Sequence, residues 1–487
     1  MQKKRVAIFD YWAYYSPHLE VMAAIAQREV SAGADVQYYA CDGSLLACEV
    51  DPWGTKIACV NCRKRMAWAA NTIALERTAV SLPPSGDYKI ESSQLQSLQT
   101  YRYRDVNVGM GCASSYISRT RDQEITLNRV TTPLLKNQLI SSKMIVDALN
   151  NIFDQKAPDT VYLFNGRGFI NRAIIGVCDA RQIPYITVEV GANDERVEEY
   201  TASLPHSISA RTRMMQKLWH SADTNEKFSV AYSFYERKRA GDVTNDQSYV
   251  AQQSKGLLPN LPHDKPVVAI FNSSDDEIKS IGDEWSFSAA INQYEVVEAL
   301  LKETANQSVF FIIRMHPNLA SVSAPWVKNW ERIKDYNNCL YIEATSPISS
   351  YEVLDVADKV LVFGSTIGAE AVAAGKPVIL YGNSYYEHLN ICYRATDLKC
   401  LVELCGRSLT PLDPEPALMY AYFLLRSGVA LKGFTGNKQE QDYRLLGHTV
   451  PISQNRGWRT KGSLLYAMNW LGNRLTEWRI RRSLNQM

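Results

Sequence analysis

Short apolar, β-branched runs alternate with helix-period segments along most of the chain, the pattern of parallel sheets covered by helices. In the first half, Arg5–Tyr11 (RVAIFDY), Val36–Tyr39, Val161–Gly166 (VYLFNG) and Tyr185–Glu189 predict buried strands. Helices are expected from Ser16-Pro17 to about Ala32, closed by Gly33, over Thr131–Phe153 and over Ile170–Arg181. Arg63-Lys64-Arg65 is expected to head a further helix to about Thr78, as a solvated charged face. Leu82–Asp105 reads as polar and loop-rich, and Val106–Arg119 (VNVGMGCASSYISR) as a loop of small residues able to touch a ligand. Pro205-His206 opens a helix that ends near His220.

The chain turns polar from Ala222 to His263, which predicts a linker with a helical stretch at Tyr232–Ala240. A second series then begins at Lys265, with strands at Val267–Asn272, Ser308–Met315, Leu340–Glu343 and Lys359–Phe363. Helices are expected to reach about Glu303 and to cover Trp326–Ile333 and Ala417–Arg426. The predicted organisation is a Rossmann-like domain over 1–225 with a cysteine-rich insertion at 41–62, a linker over 226–263, a second Rossmann-like domain over 264–455, and a basic amphipathic helix over 456–487.

A length of 487 residues allows two or three domains, and 46% hydrophobic with 21% charged residues is the balance of a globular protein. The net charge of +2 points to no polyanionic partner, and no nucleic acid is expected. There is no apolar run of transmembrane length, and MQKKRVAIFDYW lacks the apolar core and cleavage site of a signal peptide, so a cytoplasmic protein is expected. Leu464, Met468, Leu471, Leu475 and Trp478 make an apolar face, with Arg474, Arg479, Arg481 and Arg482 beside it. Such a helix can pack within the protein or lie on an anionic inner-membrane surface.

Four of the ten cysteines, Cys41, Cys48, Cys59 and Cys62, follow the spacing C-x6-C-x10-C-x2-C. Four thiolates that can converge suit a structural tetrahedral Zn²⁺; an iron–sulfur cluster and plain reduced thiols are the alternatives. Ligands of open parallel sheets sit beyond the C-terminal ends of the strands. That rule singles out Asp10, Tyr11 and His18, then Asn165 and Arg167 as groups to orient an acceptor, and Glu189 or Asp10 as a general base. In the second half it singles out Ser273 and Ser274 in SSDDE, and Arg314 with His316 at the end of the Ser308–Met315 strand.

The segment Asp358–Gly382 (DKVLVFGSTIGAEAVAAGKPVILYG) reads as strand, tight turn, helix, turn and strand. Ser365 or Thr366 can cap the helix, Gly368 leaves its first turn open to a ligand, and the free N–H groups suit a phosphate. Glu370, one turn in, is placed to accept hydrogen bonds from sugar hydroxyls.

FGSTIGAEAVAAGKPVI and the continuous stretch TSPISSYEVLDVADKVLVFGSTIG resemble bacterial capsule polysaccharide biosynthesis proteins, a group of GT-B-type glycosyltransferases related to capsule Kdo transferases. SPHLEVMAAIAQREVSAGADVQYYACDGSLLAC resembles the N-terminal segment of the same family and draws attention to His18. The dipeptide His316-Pro317 resembles a motif of GT-B enzymes that use CMP-activated sugars, where the histidine contacts the donor phosphate. The resemblance implies an α/β, GT-B-like fold with two Rossmann-like domains facing a cleft. It implies transfer of a sugar from a nucleotide donor, CMP-linked in one form, to a polysaccharide or lipid-linked acceptor. No Asp-x-Asp motif stands where a metal-dependent GT-A enzyme needs one, so no catalytic metal is expected. A transferase of CDP-polyol phosphates and a non-catalytic scaffold of a polysaccharide assembly complex are the alternatives.

Overall fold

The computed structural model describes residues 3–191, 196–241, 253–274, 276, 278–322, 325–437, 442–450 and 463–485. The chain forms two compact units, one of residues 1–205 with 428–487 and one of residues 206–427.

The first unit is built on β1 (Arg5–Asp10), β2 (Asp35–Ala40) and β3 (Arg77–Ala79), followed by a hairpin of β4 (Arg102–Tyr103) and β5 (Val106–Asn107), then β6 (Thr160–Phe164), β7 (Tyr185–Val190) and β8 (Arg196–Thr201). The second unit supplies β9 (Val267–Phe271), β10 (Phe310–Arg314), β11 (Cys339–Ile342), β12 (Lys359–Val362), β13 (Val378–Leu380) and β14 (Tyr393–Arg394). The chain then returns to the first unit as β15 (Val429–Ala430), followed by β16 (Phe434–Asn437), β17 (Asp442–Leu445) and β18 (His448–Thr449), which form a small antiparallel sheet.

The first sheet has the order β15-β8-β7-β6-β1-β2-β3. Its five strands from β7 to β3 are parallel, and β8 and β15 add an antiparallel edge. The second sheet is parallel throughout, in the order β11-β10-β9-β12-β13-β14. These strands read as unbroken apolar runs because helices cover both faces: VVAIF of β9 and KVLV of β12 are buried at every position. Both orders reverse direction beside the first strand of their unit, which defines a switch point between β1 and β6 and another between β9 and β12. Both sheets are thus Rossmann-like, as the strand pattern predicts.

Several predicted boundaries differ. Residues 222–240 are not linker: Thr224–Ala240 is a helix of the second unit, capped by Asp223 and held where the Tyr235 hydroxyl donates to the Ala417 carbonyl at 2.7 Å. Its polar surface misleads because only Ala231, Phe234 and Tyr235 face inward. The expected linker's residues 242–252 lie outside the described residues. The expected loop Val106–Arg119 is mostly the helix Val108–Thr120. Its small residues serve helix packing: a Cβ at Gly111 would lie 2.8 Å from the Phe169 backbone. Arg63 and Lys64 are exposed as expected of a charged face, whereas Arg65 is fully buried, donating to the Ala13 carbonyl at 2.7 Å and to Ser16 Oγ at 2.8 Å.

Candidate functional site

In the second unit, three parallel strands end side by side at the switch point. β9 runs into Asn272-Ser273, β10 into Met315-His316, and β12 into Phe363-Gly364-Ser365. Ser273 ties the two halves of the sheet together, its Oγ donating to the Phe363 carbonyl at 3.1 Å and accepting from Gln293 Nε2 at 3.1 Å. Buried Asn272 accepts the His316 backbone N–H at 2.6 Å, so the position of His316 is set by the neighbouring strand. The half-buried imidazole accepts the Asn318 N–H at Nδ1, at 3.2 Å. A neutral His316 therefore carries its proton on Nε2, a donor suited to a phosphate oxygen. Gly364 turns at φ 112°, where the Asn383 carbonyl would lie 2.4 Å from a Cβ, so only glycine fits. Ser365 is half-buried and Thr366 exposed at the start of the Ile367–Ala373 helix.

Other sequence-predicted residues of this unit turn away from the crevice. Arg314 is 2% exposed, and its guanidinium donates to the carbonyls of Glu343 and Ser346, latching β10 to the loop after β11. Burial lowers its pKa to about 10, which still leaves a cation at neutral pH. Ser274 is buried with its hydroxyl on Asp276 Oδ1 at 2.7 Å, so it is not an open anion ligand; Asp275 and Glu277 lie outside the described residues. Gly368 does not open space for a ligand, because the Tyr386 hydroxyl would lie 2.3 Å from a Cβ there, and that hydroxyl donates to the Ser365 carbonyl at 2.5 Å. Glu370 is buried, accepting from the Tyr351 hydroxyl at 2.5 Å and paired with Lys238 at 3.5 Å. It braces three helices rather than lining the strand ends. Asn272 and Gln293 are positioning residues that the sequence pattern does not single out. A polar residue closing the apolar run VVAIF was the available signal for the first.

In the first unit the ends of β6 and β7 bring Asn165 and Glu189 together, with Asn165 Nδ2 donating to Glu189 Oε2 at 2.7 Å. Asn165 takes φ 61° and accepts the Arg167 N–H at Oδ1, a local turn that exposes the strand end. Arg167 Nε donates to Ser114 Oγ at 2.7 Å on the Val108–Thr120 helix. His18 stacks on Phe164 at a centroid separation of 3.9 Å, with Trp12 at 5.4 Å. Its Nδ1 is buried without a hydrogen-bond partner, and burial drives its pKa down to about 3, so the imidazole is neutral. Glu49, unassigned from sequence, receives the Ile170 N–H at 3.4 Å and fills the space over Gly168. Burial raises its pKa.

Asp10 stands apart from this group. It is 3% exposed, accepts from the Tyr38 hydroxyl at 2.9 Å, and has a pKa pushed up to about 7, mainly by burial. It borders a cavity that also receives Cys41, Cys48, Cys59 and Cys62, not the Asn165–Glu189 edge. Among the described residues, no three His, Cys, Asp or Glu side chains meet as a site for one metal ion, and no helix is long and apolar enough to cross a membrane. Ile480 and Leu484 of the C-terminal helix Ser463–Asn485 are buried in the first unit, whereas Leu471, Leu475 and Trp478 are more than half exposed. The side chains of Leu464 and Met468 lie outside the described residues.

A fully parallel sheet with turn-forming and phosphate-competent groups at its switch point defines the second unit as a Rossmann-type domain. Residues 266–397, which include every strand of that sheet, match the family model for capsule polysaccharide biosynthesis proteins. The resemblance seen in FGSTIGAEAVAAGKPVI is thereby supported for this stretch. None of the curated proteins matches the chain. Among solved structures, the KpsC beta-Kdo 2,4 transferase of Thermosulfurimonas dismutans is 14% identical, at a TM-score of 0.36 over 55% of this chain and 80% of its own. The beta-Kdo 2,7 transferase from the same organism is 16% identical, at 0.34 over 56% and 80%. The UDP-GlcNAc 2-epimerase of Neisseria meningitidis, solved with UDP-GlcNAc, is 10% identical, at 0.24 over 87% and 99%. The fold assignment rests on the strand orders above, not on these overlaps.

Proposed function

We propose that the chain is a glycosyltransferase of surface or capsular polysaccharide synthesis, using a nucleotide-activated sugar held by the second unit. The observation that carries this reading is the strand-end cluster of Asn272, Ser273, His316 and Gly364–Thr366 at the switch point, within the segment that matches the capsule family model. Cleavage of a nucleotide sugar leaves negative charge on the departing phosphate. The Nε2–H of His316 and the amides and hydroxyls of Ser365-Thr366 are donors of the kind that stabilise it. The first unit takes the acceptor, with Glu189 as the base that removes the hydroxyl proton and Asn165 holding the carboxylate in place. Arg167 and His18 belong to the same acceptor edge. The exposed Leu471, Leu475 and Trp478, flanked by arginines, suit a contact with anionic lipid where a lipid-linked acceptor resides.

Calorimetric titration of the full chain with CMP, CDP, UDP and GDP, repeated on His316→Ala and Asn272→Ala, tests the donor site. One nucleotide is expected to bind, with a cytidine nucleotide favoured by the His316-Pro317 resemblance. Its affinity should fall by roughly tenfold or more in each variant, the loss expected of a charge-assisted hydrogen bond. Binding that is unchanged in both variants would remove His316 from the donor site, and no binding of any nucleotide would overturn the reading.

A further inference from the structure

The four cysteines of the segment 41–62 are used by nothing above, yet the fold gathers them. Cys41 follows β2, Cys48 lies in the loop, and Cys59 and Cys62 occupy the first two turns of the Ile57–Thr72 helix. All four line one cavity, together with Tyr11, Leu45, Met66, Ile170 and Arg63. Two of the sulfurs already accept backbone hydrogen bonds, Cys41 Sγ from Gly43 N–H at 3.3 Å and Cys48 Sγ from Asp51 N–H at 3.2 Å. Such N–H···S contacts favour the thiolate, and the first turn of a 16-residue helix brings its positive end to Cys59, both acting against the burial that raises the pKa of all four thiols in the unligated chain. The loop is held from within. Asp51 accepts the N–H groups of Thr55 and Lys56 at 3.0 and 2.6 Å, and Cys48 donates back to the Asp51 carbonyl at 3.1 Å. Gly43 turns at φ 87° where a Cβ would lie 3.5 Å from that of Cys59, so the loop closes over the second cysteine pair.

The shape of the site bears on its occupant. A mononuclear zinc draws four sulfurs to one point, whereas among the described residues no three ligand-type side chains are so gathered. The sulfurs instead stand around a small cavity that they share with Asp10, Tyr11, Leu45, Met66 and Ile170. The walls are largely apolar, with the buried Asp10 carboxyl and the Arg63 guanidinium as the charge-bearing groups beside the four cysteines. From this frame we infer that Cys41, Cys48, Cys59 and Cys62 ligate an iron–sulfur cluster that clamps the loop 41–62 onto the first unit. Four cysteine thiolates are the ligand set of both [2Fe–2S] and [4Fe–4S] centres. This inference is independent of the glycosyl-transfer reading.

The test is metal and sulfide analysis of the full chain purified without oxygen, before and after reconstitution with ferrous iron and sulfide. Iron and acid-labile sulfide in cluster stoichiometry, with a broad visible absorbance band, are the expected result. Both should fall to background in Cys59→Ser/Cys62→Ser and persist in Cys400→Ser, which alters a cysteine of the other unit. Stoichiometric zinc without sulfide would overturn the cluster in favour of a single ion. Unmetallated protein that fails to take up iron, with all ten thiols titratable or with six thiols and two disulfides, would overturn it outright. The wild-type measurement decides even if the double variant does not fold.

Discussion

At the scale of the residue, chemical type and role separate most clearly at Arg314, Glu370 and His18. A guanidinium beside a strand-end histidine looks like a phosphate ligand in sequence, but burial at 2% exposure and two carbonyl partners make it a strut. Arg314→Met should therefore cost about 2–4 kcal/mol of stability, the scale of hydrogen bonds to a buried charge, read as a lowered urea midpoint. His18 gives the pH prediction. Its folded pKa of about 3 lies below the usual 6.5, so the unfolded chain binds the proton more tightly. The stability it contributes is complete above about pH 6.5 and is lost as the pH falls towards 3, at up to about 1.4 kcal/mol per pH unit. His18→Phe, which keeps an aromatic ring on Phe164, should flatten that decline in urea titrations between pH 7 and 4. An unchanged slope would show that the buried Nδ1 is hydrated or protonated.

At the scale of the element, packing decided what pattern alone left ambiguous. VNVGMGCASSYISR has too little periodic apolar character to announce a helix, because its small residues face another helix at close range. Gly111→Val should destabilise the first unit by about 1–3 kcal/mol through the Phe169 backbone and Arg172, seen as a lower melting temperature for the transition of that unit. The strands were the opposite case. Largely buried and rich in valine and isoleucine, β1, β2, β6, β7 and β9–β12 were legible to within about two residues, as was the stop at Gly33, whereas exposed β3, where a helix to about Thr78 was expected, and charged β8 were not. His316 and Ser365 were legible as strand-end groups for the same reason. The inward turn of Glu370 was not, since residues at the start of a helix point to the crevice or to the core according to the helix's rotation about its own axis. That rotation is set here by Tyr351 and Lys238.

At the scale of the whole molecule, the chain's return from the second unit to the first assigns the C-terminal helix a structural face and an exposed one. Ile480 and Leu484 are buried against the first unit, and Asn128 donates to Ser483 at 3.2 Å. Deleting the helix would therefore unsettle that unit and confound a membrane assay. Leu475→Ser/Trp478→Ser alters only exposed side chains. It should leave the melting temperature within about 2 °C, as expected of surface positions, and reduce cosedimentation with anionic vesicles several-fold. Equal sedimentation of variant and wild type would assign those residues to another partner.

The sequence by itself determined the alternation of strands and helices, the two Rossmann-like sheets, the grouping of the four cysteines in one segment, and the strand-end positions of Asn165, Glu189 and His316. Local propensity and buried-strand hydrophobicity carry that information over a few residues at a time. Tertiary structure alone decided which polar groups remain at the strand ends and which are drawn into the core. It took Arg314 and Glu370 inward, held His316 through Asn272, returned residues 428–487 to the first unit and closed the cysteines round a shared cavity. Each outcome depends on partners dozens to hundreds of positions away, whose proximity is a property of the packed chain and of no local stretch.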